Sequence, residues 1–185
     1  MIHSNPWGDT PEISPQAYIH PTAVITGKVI IKDNCFVGAN AVIRADEKDE
    51  NGNIEPVVIH ENSNIQDGVI IHTTKGKKVE IGPNVSITHG AVVHGPCILR
   101  ERCFIGFNAV VYNAVLDSNV VVLHNAVVEM VSIPANKVVP PNGTILSTND
   151  FSQLLAYSDS IEKFINKVLH TYEQLTFGYI SQNKG

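Results

Sequence analysis

Large aliphatic residues recur along this chain at every sixth position, and an internal period of that kind has to be recognised before any helix or strand is assigned. Ile19, Ile25, Ile31, Val37 and Ile43 keep the spacing without a slip. Two residues before each stands a small or β-branched one: Ala17, Ala23, Val29, Cys35 and Ala41. A charged interruption from Asp46 to Pro56, containing the turn pair Asn51-Gly52, separates this run from Ile59, Ile65 and Ile71. A shorter excursion, Lys75 to Lys78, precedes Ile81, Ile87, Val93, Leu99, Ile105 and Val111. After two one-residue slips the frame ends with Leu116, Val122, Val128 and then Ile133, Val139, Ile145.

Twenty such hexads resemble the hexapeptide-repeat proteins. The resemblance implies a mainly β chain, a left-handed parallel β-helix of triangular cross-section with three short strands to a coil, and hence between six and seven coils. Each coil would bury its aliphatic ladder on the next, about 4.8 Å away. Cys35, Cys97 and Cys103 all fall on the inward small-residue position, which predicts buried free thiols rather than disulfides or metal ligands. From Asn149 the spacing becomes helical, with Ile161, Phe164, Ile165, Val168, Leu169, Tyr172 and Leu175 on one apolar stripe. Asp159 and Glu162 read as its capping box. The expected organisation is therefore a β-helix domain with an N-terminal extension over residues 1–148, and a C-terminal helical segment over 149–185 packed on its outside.

With 185 residues, 43% of them hydrophobic and 17% charged, the chain suits one core-forming domain and not a disordered one. Its 13 Lys and Arg are scattered and outnumbered by 18 Asp and Glu, which argues against nucleic-acid or anionic-membrane partners. The polar start of the chain has no signal-peptide core, and no stretch reaches the ~18 apolar residues of a membrane helix. A cytoplasmic location is the resulting expectation.

Removing the insertions tells which histidines stack. His72 follows Ile71 and His94 follows Val93, and their 22-residue separation less the four-residue excursion is one coil of 18. His89 sits two after Ile87 and belongs to a neighbouring face, so a site of three His would have to form between subunits, three times over in a cyclic trimer. Three neutral imidazoles form the ligand set of a catalytic zinc site that keeps a fourth position for water. Asp67, one coil below His89, is placed to orient a ligand.

Three segments then become specific: Arg44-Ala45-Asp46-Glu47, the run from Asn64 through Gln66 and Asp67 to His72, and the run from Thr88 through His89 and His94 to Pro96, with Phe104-Ile105-Gly106-Phe107 extending the match. They resemble the gamma-class carbonic anhydrases and the similar N-terminal domain of a carboxysome scaffold protein. The resemblance implies zinc, with iron or cobalt as alternatives, bound by His72 and His94 of one subunit and His89 of the next in a homotrimer. It implies that Gln66 holds the metal-bound water, with Asn64 near it, and that Glu47 handles protons. Arg44 and Asp67 correspond to an interface ion pair, with Asp46 beside them. Phe164-Ile165-Asn166 corresponds to a helix segment that places a Tyr and an Asn over the site; Phe164 stands for the Tyr and lacks its hydroxyl, while Asn166 is retained. The acidic loop that the family's best-studied type carries after the first metal His, and that other relatives lack, is replaced here by Thr73-Thr74-Lys75-Gly76-Lys77-Lys78, which has no carboxylate.

The activity implied is reversible hydration of carbon dioxide to bicarbonate. Two alternatives share the fold: an acyl-coenzyme A transferase, and a non-catalytic metal-binding trimeric scaffold.

Overall fold

Every ladder residue from Ile25 to Ile145 is fully or almost fully buried, on strands only two to four residues long. In the computed structural model, which describes residues 1–182, those strands form three parallel sheets around one shared interior. The first face stacks Ile2–His3, Val24–Gly27, Val42–Ala45, Ile70–His72, Val92–His94, Val110–Tyr112, Val127–Glu129 and Thr144–Ile145. The second runs from Glu12–Ile13 to Ser132–Ile133, and the third from Tyr18–Ile19 to Lys137–Val139. Registers are those of the hexad frame: Ile43 opposes Ile71, Ile71 opposes Val93, and Val93 opposes Val111. The result is a parallel β-helix of about seven coils. Burying one Val, Ile or Leu side chain is worth roughly 1.5–3 kcal/mol, so this ladder carries most of the stability.

Corners need left-handed backbone, which costs an L-residue about 1–2 kcal/mol unless it is Gly or Asn. The chain meets the requirement with Asn34, Asn62 and Asn84 between the second and third faces, and Asn40, Asn108, Asn125 and Asn142 between the third and first. Arg102, at φ 59°, interrupts the first of these columns.

Both ends differ from the expectation. The N-terminal stretch is part of the coil: Ile2–His3 pairs with Val24–Gly27, and Glu12–Ile13 with Val29–Ile31. At the other end a 3₁₀ turn, Thr148–Gln153, and a strand, Leu155–Ala156, precede the helix, and that strand pairs antiparallel with Lys137–Val139. Helix α1, Asp159–Gln182, lies along the third face. It buries Ile165 against Phe104, Val121 and Val138, and sets Tyr172 on Phe36 and Tyr179 on Tyr18. Its cap is Ser158, whose Oγ accepts the Ile161 N–H at 3.4 Å. Asp159 and Glu162 lie inside the first turn, where they favour the positive end of the helix dipole but do not form the expected box. Among the described residues no helix is long and apolar enough to cross a membrane.

Candidate metal centre

One coil's rise brings equivalent outward side chains of the first face into a column: Arg44, His72, His94 and Tyr112 are register partners in turn. His72 Nδ1 and His94 Nε2 lie 3.2 Å apart with their rings at 79°. Two nitrogens bound at 2.0–2.1 Å in a tetrahedral zinc shell are about 3.3–3.4 Å apart, so the pair already spans that edge. Burial holds the His72 pKa below its ordinary value, with the nearby Glu47 charge opposing and Arg44 and His94 reinforcing the shift. The imidazole is thereby kept neutral, the form that ligates metal.

The outward nitrogens find oxygen. His72 Nε2 is 3.6 Å from Asp46 Oδ1 and 3.6 Å from Glu47 Oε1, and His94 Nδ1 is 3.3 Å from the Gly95 carbonyl. His72 Nε2 and Asp46 Oδ1 are buried without a hydrogen-bond partner and face each other. Convergent nitrogens, a neutral ring and carboxylates behind it fit a zinc-type ion, because metal-bound imidazoles direct their second N–H to a carboxylate or carbonyl. Arg44 braces Asp46 through Nη2 at 2.7 Å and Nε at 3.2 Å.

Asp67 is not Arg44's partner within the chain. It sits at the corner between the third and first faces, where Oδ1 accepts the Ala39 N–H at 2.8 Å and Oδ2 lies 3.6 Å from His89 Nδ1. His89, half-exposed, turns its ring toward Phe107 at 5.4 Å between centroids. No three His, Cys, Asp or Glu side chains come together in one chain as a metal-binding group among the described residues. The chain thus presents two convergent imidazoles on one face and a third at the next corner.

Gln66 and Asn64 are buried on the third face beside that corner. Gln66 Nε2 donates to Asn64 Oδ1 at 2.9 Å, and Asn64 Nδ2 to Ser86 Oγ at 2.8 Å, which fixes both amides. The helix separates the other two expected residues. Phe164 and Asn166 flank the buried Ile165 on opposite sides. Phe164 lies edge-on to Phe104 at 5.3 Å, whereas Asn166 accepts from Arg102 Nη2 at 2.9 Å at the corner between the second and third faces. Within the chain Asn166 is therefore not brought to the histidines, because the two-residue step from Phe164 turns the side chain by about 200°. The sequence assigned no role to Tyr112, whose ring lies 5.5 Å from His94, or to Phe107 and His124, stacked at 4.4 Å. The frame held the signal: Tyr112 is one coil beyond His94, and Phe107 one coil beyond His89.

Residues 10–45 match the family model described as bacterial transferase hexapeptide (six repeats), and residues 55–132 match the GlmU-like, C-terminal hexapeptide model. A carbonic anhydrase of Methanosarcina thermophila is 30% identical over 194 residues, covering 91% of this chain and 76% of that protein. The carboxysome assembly protein CcmM of Nostoc sp. is 32% identical over 179 residues, covering 91% of this chain. The chain spans only 31% of that assembly protein's length. Among solved structures, a protein from Bacillus cereus superposes with a TM-score of 0.85 at 20% identity, covering 98% of each chain. A hexapeptide transferase family protein from Anaplasma phagocytophilum gives 0.79 at 21% identity, covering 97% of this chain and 98% of that one. These two likenesses concern the fold alone.

Proposed function

The chain belongs to the gamma-carbonic anhydrase-like family of hexapeptide-repeat proteins, and from that premise we propose that it is a trimeric, zinc-dependent catalyst of reversible carbon dioxide hydration. The observation that carries the reading is the His72–His94 pair, with nitrogens converging at 3.2 Å and carboxylates behind His72. His72 and His94 of one subunit and His89 of its neighbour would hold the ion; iron and cobalt suit the same imidazoles. When bound, such an ion lowers the pKa of its water to about 7 and so supplies a nucleophile near neutral pH.

The remaining work falls to the chain. Gln66, immobilised through Asn64 and Ser86, orients the attacking oxygen and the bicarbonate product through its amide. Glu47 is 38% exposed while its carboxylate reaches the His72 ring, so it can take a proton from the site and deliver it to water. The loop that carries it also holds two further carboxylates, Asp49 and Glu50, whereas Thr73 to Lys78 has none. Asp46, braced by Arg44, orients His72. Phe107 and Phe164, both large and exposed in the single chain, supply apolar walls for the substrate.

Metal analysis, carbon dioxide hydration and acetyl-coenzyme A consumption, measured together on the purified protein, test the reading. Stoichiometric metal with hydration activity, both lost in a folded His94→Ala trimer, is the expected result. Full metal retention in that variant removes His94 from the site. Metal without hydration favours the scaffold reading, which the missing acidic loop supports, and metal-free consumption of acetyl-coenzyme A favours a transferase.

A further inference from the structure

His89 is the weakly supported member of the proposed ligand set. His72 and His94 brace each other, whereas His89 projects from a corner with its side chain 48% exposed and only the Asp67 carboxylate below it. Holding a free rotamer costs conformational entropy, so a ligand of this kind binds better if its ring is fixed beforehand.

A column of rings rises from it. Phe107, one coil up, lies 5.4 Å from the His89 ring at 31°, and His124, a further coil up, stacks on Phe107 at 4.4 Å and 12°. His124 Nδ1 also accepts the Phe107 backbone N–H at 2.9 Å, which ties its ring to the segment it covers. Gly106 makes the approach possible: a Cβ there would lie 2.7 Å from the His124 backbone nitrogen and 2.9 Å from its Nδ1. Phe107 itself is 43% exposed in the single chain, so packing within the chain does not account for a large aromatic at this corner.

We infer that Phe107 and His124 are positioning residues for metal binding: the Phe107 face sets the plane of the His89 imidazole, and His124 pins Phe107 from the opposite side. Asp67 Oδ2 lies 3.6 Å from Nδ1 of the same ring, which leaves Nε2 as the nitrogen for a neighbouring subunit's pair. This assignment rests on the metal reading of the same site.

The test is zinc affinity by chelator competition, with the visible absorption of the cobalt-substituted protein as the report on ligand geometry. Phe107→Ala is expected to weaken zinc binding about ten- to a hundredfold and to alter the cobalt spectrum, the thermal midpoint of the metal-free protein being unchanged. Phe107→Tyr, which keeps the ring face, is expected to restore both. His124→Ala should shift both readouts in the same direction by a smaller factor, and His124→Phe, which keeps a flat ring, should restore them. If Phe107→Ala does not fold, Phe107→Leu keeps the volume without the aromatic face and is read in the same way. Wild-type zinc affinity and cobalt spectrum in folded Phe107→Ala or Phe107→Leu overturn the positioning role and leave the metal site intact. A wild-type protein that takes up no zinc overturns the metal site itself, and this assignment with it.

Discussion

A thiol facing the interior of a coil can hardly ionise. Burial, the largest cause in each case, raises Cys35 to about 12, Cys97 to about 11 and Cys103 to about 12, from an ordinary 9.0. Each Sγ also donates to a carbonyl, of His60, His94 and Asp117 respectively. Because the thiolate is the nucleophile, all three should resist alkylation in the native protein at pH 8 and react after denaturation, which mass spectrometry checks. A folded pKa above the unfolded one means that the folded state holds its protons more tightly. The associated stability is thus complete below pH 9 and drains away as the pH climbs through 11 and 12. Tyr18, Tyr157 and Tyr172, raised mainly by burial, act in the same direction from about pH 10. The thermal midpoint should stay level from about pH 7 to 9 and then fall, and it should fall less in the triple Cys→Ala variant. An equal fall in both proteins would assign the alkaline loss to the tyrosines.

At the scale of elements, Arg102 is the one non-Asn residue in the left-handed column of the second-to-third corner, and it ties the helix to the coil. Its guanidinium donates to Asn166 at 2.9 Å and lies 3.6 Å from Glu162. Replacing it with Asn restores the residue type that the corner prefers and removes the tie. Arg102→Asn should therefore change global stability by less than about 1 kcal/mol, yet speed amide exchange in the first turns of α1. Ile165→Ala, which hollows the apolar contact, should cost about 2–5 kcal/mol. Unchanged exchange in Arg102→Asn would show that apolar contact alone seats the helix. This corner also marks the limit of what sequence reveals. His72 and His94 were legible as a pair because equal positions in successive hexads must stack, and Asp67 was legible below His89 for the same reason. The rotation of α1 was not, since it depends on which partners meet Phe164 and Asn166 across the third face. Nor was the coil's first strand, Ile2–His3, legible before the hexads become regular.

For the whole molecule the proposed site predicts complementation between defective chains. Homotrimers of His72→Ala or of His89→Ala lack a complete ligand set at every interface. A mixed trimer joins an intact His72–His94 pair from one chain to an intact His89 from the other, so co-refolding the two should recover some zinc binding and hydration. His72→Ala mixed with His94→Ala should recover none, because those ligands come from one chain. Light scattering establishes trimers and tagged copies establish exchange; an empty first mixture despite exchange removes the intersubunit site. Assembly also requires that the molecule stop somewhere. A stack of parallel strands has no inherent length, and an open last coil would accept the first coil of another molecule as readily as its own continuation. Leu155–Ala156 closes the third face by running backwards along Lys137–Val139, where a further coil would have to run forwards. At that end the third face therefore offers the next molecule's first coil an edge that runs in the wrong direction.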